Sequence, residues 1–122
     1  MSITDLPHDP LWPRAGHWIT PAPPGEPPAG DLAIIGIPAY RSSITPTGAH
    51  ATPAAVRDAL LPYSPFAGAR GTDLSALRAV DLGDVDEPDG PDGEQRVADA
   101  INRLGDPRLL VALGGDNSIT YS

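Results

Sequence analysis

Cysteine and lysine are both absent from this chain of 122 residues, and aromatic residues make up only 5% of it. The absence of cysteine excludes disulfide scaffolds, thiol nucleophiles and cysteine-based zinc or iron–sulfur sites. No apolar run reaches the length of about 20 residues that a membrane-spanning helix needs, and the N-terminus does not have the pattern of a signal peptide. The length allows one modest domain. We therefore expect a cytoplasmic protein.

Positive charge is scarce as well. Eight arginines stand against 16 acidic residues, which gives a formal net charge of -8. The arginines are scattered singly along the chain, whereas binding to nucleic acid or to an anionic membrane surface requires clustered basic side chains. We therefore expect neither nucleic acid nor a membrane as a partner.

Proline is unevenly distributed, since eight of the 16 prolines fall within the first 30 residues. No helical or strand periodicity persists there, so residues 1–30 are interpreted as a Pro-rich, extended N-terminal arm. Two interpretations of the arm stay open: it could lie in an apolar groove of the body, or it could be a flexible tail. The apolar side chains that could hold it are Leu11, Trp12, Trp18 and Ile19.

Residues 31–122 show the patterns of regular secondary structure. Short apolar runs predict buried strands at 32–37, 79–82 and 109–113. Strands that alternate with helices indicate parallel βαβ units with right-handed crossovers, and therefore an open α/β sandwich.

A helix is predicted between each pair of successive strands. Thr52 is expected to cap the first helix, with Pro53 in its first position. The second helix is expected to begin at Asp92, with Gln95 completing a capping-box-like pair, and to stop at Gly105. The predicted inward-facing residues are Val56, Ala59 and Leu60 in the first helix and Val97, Ile101 and Leu104 in the second.

Ligands of open α/β sheets bind beyond the carboxyl ends of the strands. The loops expected to meet at that edge are 38–50, 83–86 and 114–118. The turn after the first strand lacks the closely spaced glycines of a dinucleotide site, and the absence of lysine excludes a Walker-type loop. Ser118 does not lie in a Gly-x-Ser-x-Gly elbow, and His50 is the one histidine of the body, which disfavours a catalytic triad.

Four segments of the chain resemble the ureohydrolase family, which contains arginase, agmatinase and formimidoylglutamase. The segment Gly-Gly-Asp-Asn-Ser at 114–118 is similar to the family's Gly-Gly-Asp-His-Ser. Segments 35–38, 48–57 and 81–84 are also similar, in the family's order. The resemblance implies that residues 31–122 are the N-terminal part of an arginase-like, three-layer α/β sandwich with a parallel sheet.

The resemblance also implies a hydrolase that cleaves a C–N bond of a guanidino or amidine group with two Mn²⁺ ions. Asn117 stands where the family has a His ligand, so Asn117 is the candidate metal ligand and Asp116 is expected to support it. An amide oxygen suits Mn²⁺ but is a weaker donor than imidazole. The alternative is that Asn117 merely caps a turn. The family's Asp-x-His-x-Asp ligand segment does not occur in this sequence, so we assign no catalytic residue within it and expect the chain alone to be inactive.

The remaining polar residues receive simpler roles. Arg57 is expected to pair with an acid near the sheet edge, and His50 to be an ordinary loop residue. Asp84 and Asp86 are interpreted as solvated acids or acids at the crevice edge. Candidates for lining a substrate pocket are Tyr40, Arg41 and Ser42.

Two hypotheses about function remain. The first is the N-terminal part of a formimidoylglutamase of histidine degradation, which converts N-formimidoyl-glutamate to glutamate and formamide, with an agmatinase or arginase as the alternative. The asparagine in place of histidine and the Pro-rich arm favour formimidoylglutamase. The second is a non-catalytic α/β interaction module held by a partner chain, because a short parallel sheet leaves its edges exposed. We expect a homo-oligomer and a small-molecule substrate.

Overall fold

A computed structural model of the chain describes residues 9–25 and 29–121. Residues 1–8 and 26–28 of the predicted arm lie outside the described residues. The helices and strands are, in chain order, α1 (Ala15–Trp18), β1 (Thr20–Pro21), β2 (Leu32–Ile37), α2 (Thr52–Leu60), β3 (Phe66–Ala67), β4 (Thr72–Asp73), β5 (Ala79–Asp84), α3 (Gly93–Asn102) and β6 (Leu109–Gly114).

The central sheet has the strand order β1-β5-β2-β6, and all of its neighbouring strands run parallel. β2 pairs with β6 along its whole length, from Leu32 opposite Leu109 to Ile37 opposite Gly114. β3 and β4 form a separate antiparallel pair. The predicted parallel α/β sheet is therefore confirmed, and the strands predicted at 32–37, 79–82 and 109–113 are its β2, β5 and β6.

Helices cover both faces of β2. Successive side chains of a strand point to opposite faces, and Ile35 belongs to a core cluster with Val97 of α3. Gly36 instead faces α2, since a Cβ added to Gly36 would lie 3.0 Å from the Cβ of Pro53. Ile35, Val97 and Pro53 are the largest fully buried side chains of the described residues. The result is a layered α/β sandwich, as predicted.

Of the two predicted helix caps, the position of one is confirmed and the other was wrong. A turn of 3₁₀ helix at Ala49–Ala51 runs directly into α2, so Thr52 is already helical and Ala51 occupies the cap position. Asp92 occupies the cap position of α3 as predicted, but its φ of 58° is left-handed and its side chain makes no capping hydrogen bond. Gln95 donates to the side chain of Asp99, one turn further on, at 2.8 Å. Neither helix therefore begins with a capping hydrogen bond from a side chain.

The predicted inward faces of the helices are largely present. In α2, Val56 and Leu60 are half-buried, whereas Ala59 is exposed. In α3, Val97 is fully buried, and Ile101 packs against the same core. The helix ends at Asn102, a little before the predicted stop.

The part of the arm that the structure describes contacts the body through its backbone and through the side chains of Arg14, Trp18 and Thr20. Trp18 donates its indole N–H to the carbonyl of Leu77 at 2.8 Å, and the Ala22 amide donates to the carbonyl of Asp81 at 2.8 Å. Trp18 and its neighbour Ile19 are half-buried. Leu11 and Trp12, which were candidates for the same groove, are 91% and 59% exposed.

No helix of residues 9–25 and 29–121 combines the length and the apolar character needed to cross a membrane.

Candidate functional site

The three loops predicted to meet at the carboxyl edge of the sheet do so. The amide of Val85 donates to the carbonyl of Gly36 at 2.8 Å. The amide of Gly115 donates to Ile37 at 3.0 Å, and the amide of Asp116 donates to Ala39 at 2.9 Å. These hydrogen bonds extend the sheet beyond its strands and hold the loop after β2 between the loops after β5 and β6.

Gly115 is what allows the loop after β6 to approach the loop after β2 so closely. A Cβ at this position would overlap the carbonyl group of Ala39. The constraint at Gly114 is weaker, since a Cβ there would overlap the Ile119 side chain, which can move. Backbone packing therefore requires the second glycine of the Gly-Gly-Asp-Asn-Ser segment.

Asp116 is the centre of a hydrogen-bond cluster. Its Oδ2 accepts the hydroxyls of Ser42 at 3.0 Å and Ser43 at 2.8 Å. Its Oδ1 accepts the Ser118 hydroxyl at 2.5 Å and the Ser118 amide at 3.0 Å. Hydrogen bonds from Ser118 and Ser43 lower the pKa of Asp116 to about 2. Asp116 therefore stays ionised and ties the loop after β2 to the end of β6.

Asn117 begins the 3₁₀ turn Asn117–Tyr121 directly beyond this cluster. Its backbone carbonyl accepts the Thr120 hydroxyl at 2.9 Å. Its side chain is exposed, and within the described part of the chain the amide makes no hydrogen bond. The Asp116 carboxylate caps this turn through the Ser118 amide, so the Asn117 amide is left available to a ligand.

The described part of the chain does not assemble a complete metal site. Among residues 9–25 and 29–121, no group of three or more His, Cys, Asp or Glu side chains converges as a metal site. The oxygens of Asp116 are already engaged by serines.

Arg57 pairs with acids at the sheet edge, which confirms the structural role predicted for it. Its Nε and Nη2 donate to the two oxygens of Asp81 at 2.6 and 2.8 Å, and its Nη1 donates to Asp84 at 2.5 Å. Burial alone would raise the pKa of Asp81, but hydrogen bonds from Arg57 and the Gly83 amide hold it below its usual value. Asp84 is thus an ion-pair partner rather than a solvated acid, whereas Asp86 is exposed.

A cavity of about 500 Å³ opens at this edge and is lined by Arg41, Ser42 and Ser118. Its volume lies within the usual range for small-molecule sites. Tyr40 and His50, whose ring centroids are 4.7 Å apart, line a neighbouring cavity of about 310 Å³ together with Arg41.

Asp89 also belongs to this site, although the sequence gave us no reason to single it out. Its Oδ2 accepts the amide of Tyr40 at 2.7 Å and the amide of Arg41 at 3.1 Å. It is separated from Tyr40 by 49 positions, and no local pattern in the sequence indicates this contact. Asp89 and Asp116 therefore anchor the loop after β2 from two sides.

Comparison with known proteins agrees with the geometry. The family model described as Arginase family matches residues 30–122. Formimidoylglutamase from Bacillus subtilis (strain 168) is 33% identical over 95 residues, which cover 74% of this chain and 30% of the relative. Formimidoylglutamase from Halalkalibacterium halodurans is 30% identical over 95 residues, with the same coverage.

A solved structure shows the same fold. The crystal structure of formimidoylglutamase from Bacillus subtilis matches with a TM-score of 0.79 at 26% identity, over 96% of this chain and 37% of that one. The chain thus spans 30% of the length of the curated relatives it matches. The parallel sheet, the Gly-Gly-Asp-Asn-Ser turn at its carboxyl edge and the match over residues 30–122 establish that this chain belongs to the arginase family.

Proposed function

We propose that the protein acts as a formimidoylglutamase, which hydrolyses N-formimidoyl-glutamate to glutamate and formamide. The observation that carries this proposal is the free amide of Asn117 at the carboxyl end of β6, at the position of a His ligand in the family. The similarity to two curated formimidoylglutamases supports this substrate over those of agmatinase and arginase.

Mn²⁺ is the proposed metal, and the Asn117 amide oxygen fits it. This oxygen is a neutral donor of the kind that hard divalent ions accept, and it is not engaged by described residues. The other ligands would come from outside residues 1–122. When bound, paired Mn²⁺ ions lower the pKa of coordinated water and so supply a hydroxide nucleophile at neutral pH.

The described residues would prepare this site rather than carry out its chemistry. Asp116 holds the turn that begins at Asn117 and binds Ser42 and Ser43 of the opposite loop. Fixing the surroundings of a metal ligand before the metal arrives favours one binding geometry. Asp116 is accordingly proposed as a positioning residue and not as a ligand.

The test is the hydrolysis of N-formimidoyl-L-glutamate by the longest natural product that contains residues 1–122. The purified protein is stripped of metal and assayed with and without added Mn²⁺. We expect glutamate and formamide to form in equal amounts, and only with the metal. Absence of turnover in the presence of Mn²⁺, with the protein folded by circular dichroism, would contradict the proposal.

A second experiment tests the role of Asn117 in metal binding. Replacing Asn117 by His should raise the Mn²⁺ affinity of the same protein, because imidazole is a stronger donor than an amide, whereas Asn117→Ala should lower it. Asn102→His, at the exposed end of α3, makes the same change away from the edge and should have no effect. Equal Mn²⁺ affinities in all four proteins would exclude Asn117 as a ligand.

One observation favours the non-catalytic interaction module as a second candidate. β6 is apolar, yet it lies at the edge of the sheet formed by the described residues, and Leu109 is 58% exposed. An apolar edge strand of this kind is suited to pairing with another chain, including a second copy. A purified protein that neither binds Mn²⁺ nor turns over substrate, but sediments as a defined oligomer, would favour this candidate.

A further inference from the structure

The arginines near the carboxyl edge of the sheet differ in how many hydrogen bonds and ion pairs their guanidinium groups make. Arg57 is bound to two aspartates. Arg96 donates to backbone carbonyls, including that of Glu87 at 2.5 Å. The side chain of Arg41 interacts with the side chain of Tyr40, and its one ion pair with a described residue is a contact of 3.7 Å with the Glu87 carboxylate; it is 51% exposed. A pair that long and that exposed is weak, so Arg41 can take an anionic ligand.

The backbone of Arg41 is held firmly although its side chain is exposed. Its amide donates to Asp89 at 3.1 Å, and the next residue, Ser42, donates to Asp116 at 3.0 Å. The guanidinium group therefore extends from an anchored loop. Arg41 lines the same cavity of about 500 Å³ as Ser118, which directly follows Asn117.

We propose that Arg41 binds a carboxylate of the substrate and so selects carboxylate-bearing amidines. This inference rests on the proposed function, because N-formimidoyl-glutamate carries two carboxylates, whereas agmatine carries none. The planar guanidinium group can donate two parallel hydrogen bonds to a carboxylate. In forming them it would exchange its long contact with Glu87 for a closer one.

Because acidic side chains surround the cavity, a ligand carboxylate needs a positive charge such as Arg41 to bind there. Without Arg41, a ligand carboxylate entering the cavity would meet side chains of its own sign, which is unfavourable. One of these acids, Asp89, is occupied by the backbone amides of Tyr40 and Arg41. The acidic residues at or beside the cavity are Glu87, Asp89, Asp92 and Glu94.

The experiment compares variants of the longest natural product that contains residues 1–122. Arg41→Gln should raise the KM for N-formimidoyl-L-glutamate roughly tenfold or more with little change in kcat. Arg41→Lys keeps the charge but loses the planar fork, so its KM should be intermediate. Glu87→Gln should lower KM a few-fold, because it releases Arg41 and removes a negative charge. Arg70→Gln, in an exposed turn, is the control and should leave KM unchanged.

Binding of L-glutamate, measured by calorimetry on the same variants, separates this inference from the proposed function. If the unmodified protein hydrolyses the substrate but Arg41→Gln leaves both KM and glutamate affinity within twofold, the inference is wrong and the function stands. If the unmodified protein has no activity but binds glutamate, and Arg41→Gln weakens that binding, the function fails while the carboxylate site stands. A protein that neither turns over substrate nor binds glutamate contradicts both.

Discussion

β2 and β6 are neighbouring strands of similar composition that differ sharply in burial. They pair along six positions, and both are dominated by aliphatic residues. Residues 33–37 of β2 are all buried, whereas Leu109 and Ala112 of β6 are exposed and the rest of that strand is half-buried. β2 has a strand on each side, but in the described sheet β6 has only β2. The neighbours of an apolar strand, and not its composition alone, decide how much of it is buried.

Because of this difference, the residues that stabilise the fold are largely distinct from those of the candidate site. The fully buried side chains lie in and around β2 and α3, whereas Asn117 and the Asp116 cluster follow the strand that is less covered. Loss of packing at β2 should therefore unfold the protein, while changes after β6 should act more locally.

The largest expected effect is from Ile35→Ala in β2. Ile35 is 1% exposed, and truncation of a buried isoleucine costs about 2–5 kcal/mol of unfolding free energy. Urea denaturation of the purified protein measures this loss. A loss below about 1 kcal/mol would show that β2 is not the centre of the core.

The next effect is at the contact between the two strand ends. Gly115→Ala should destabilise by about 1–3 kcal/mol, because the added methyl group overlaps the carbonyl of Ala39. Gly48→Ala is the matched control, since nothing lies within 4 Å of its Cβ position and its φ of -88° suits any residue. Equal stabilities of the two variants in urea would contradict the close approach of these loops.

Acid sensitivity should arise in part from Asp116. Its folded pKa of about 2 lies below its ordinary value of 3.8, so its contribution to stability is complete above that value and is lost as the pH falls toward 2. Asp116→Asn should make the urea midpoint less dependent on pH between about 4 and 2. Asp106→Asn, the control, changes an exposed acid before β6. Its urea midpoint should depend on pH as that of the unmodified protein does. If the urea midpoint depends on pH to the same extent in all three proteins, Asp116 is not a source of the acid sensitivity.

The smallest expected effect is from Leu109→Ala in β6. This is the same kind of truncation as at Ile35, but Leu109 is already 58% exposed, so the cost should stay below about 1 kcal/mol. A cost that equals that of Ile35→Ala would erase the distinction between the two strands in the free protein.

The sequence was sufficient for the parts of the fold that have a local pattern. The apolar runs of β2, β5 and β6 located the central strands, and their alternation with helices predicted the parallel sheet and its functional edge. β1 and the β3–β4 pair were missed, because strands of two residues show no periodicity. The cap predicted at Thr52 was wrong, because a 3₁₀ turn extends the helix backwards, and sequence alone does not show such a turn.

The candidate site also has one part that the sequence indicates and one part that only the fold creates. Asp116 and Ser118 are two positions apart, a spacing typical of a side chain that caps its own turn. The bonds from Ser42 and Ser43 to Asp116 join positions more than 70 residues apart, so only the folded sheet brings them together. The resemblance identified Asn117 by its position, and among the described residues its side-chain amide makes no hydrogen bond.

The most direct test of the central claim is the substrate preference of the longest natural product that contains residues 1–122. Its kcat/KM with Mn²⁺ is measured for N-formimidoyl-L-glutamate, agmatine and L-arginine under the same conditions. We predict that N-formimidoyl-L-glutamate is hydrolysed with the highest kcat/KM and that agmatine is a poor substrate. A higher kcat/KM for agmatine or arginine would contradict this account.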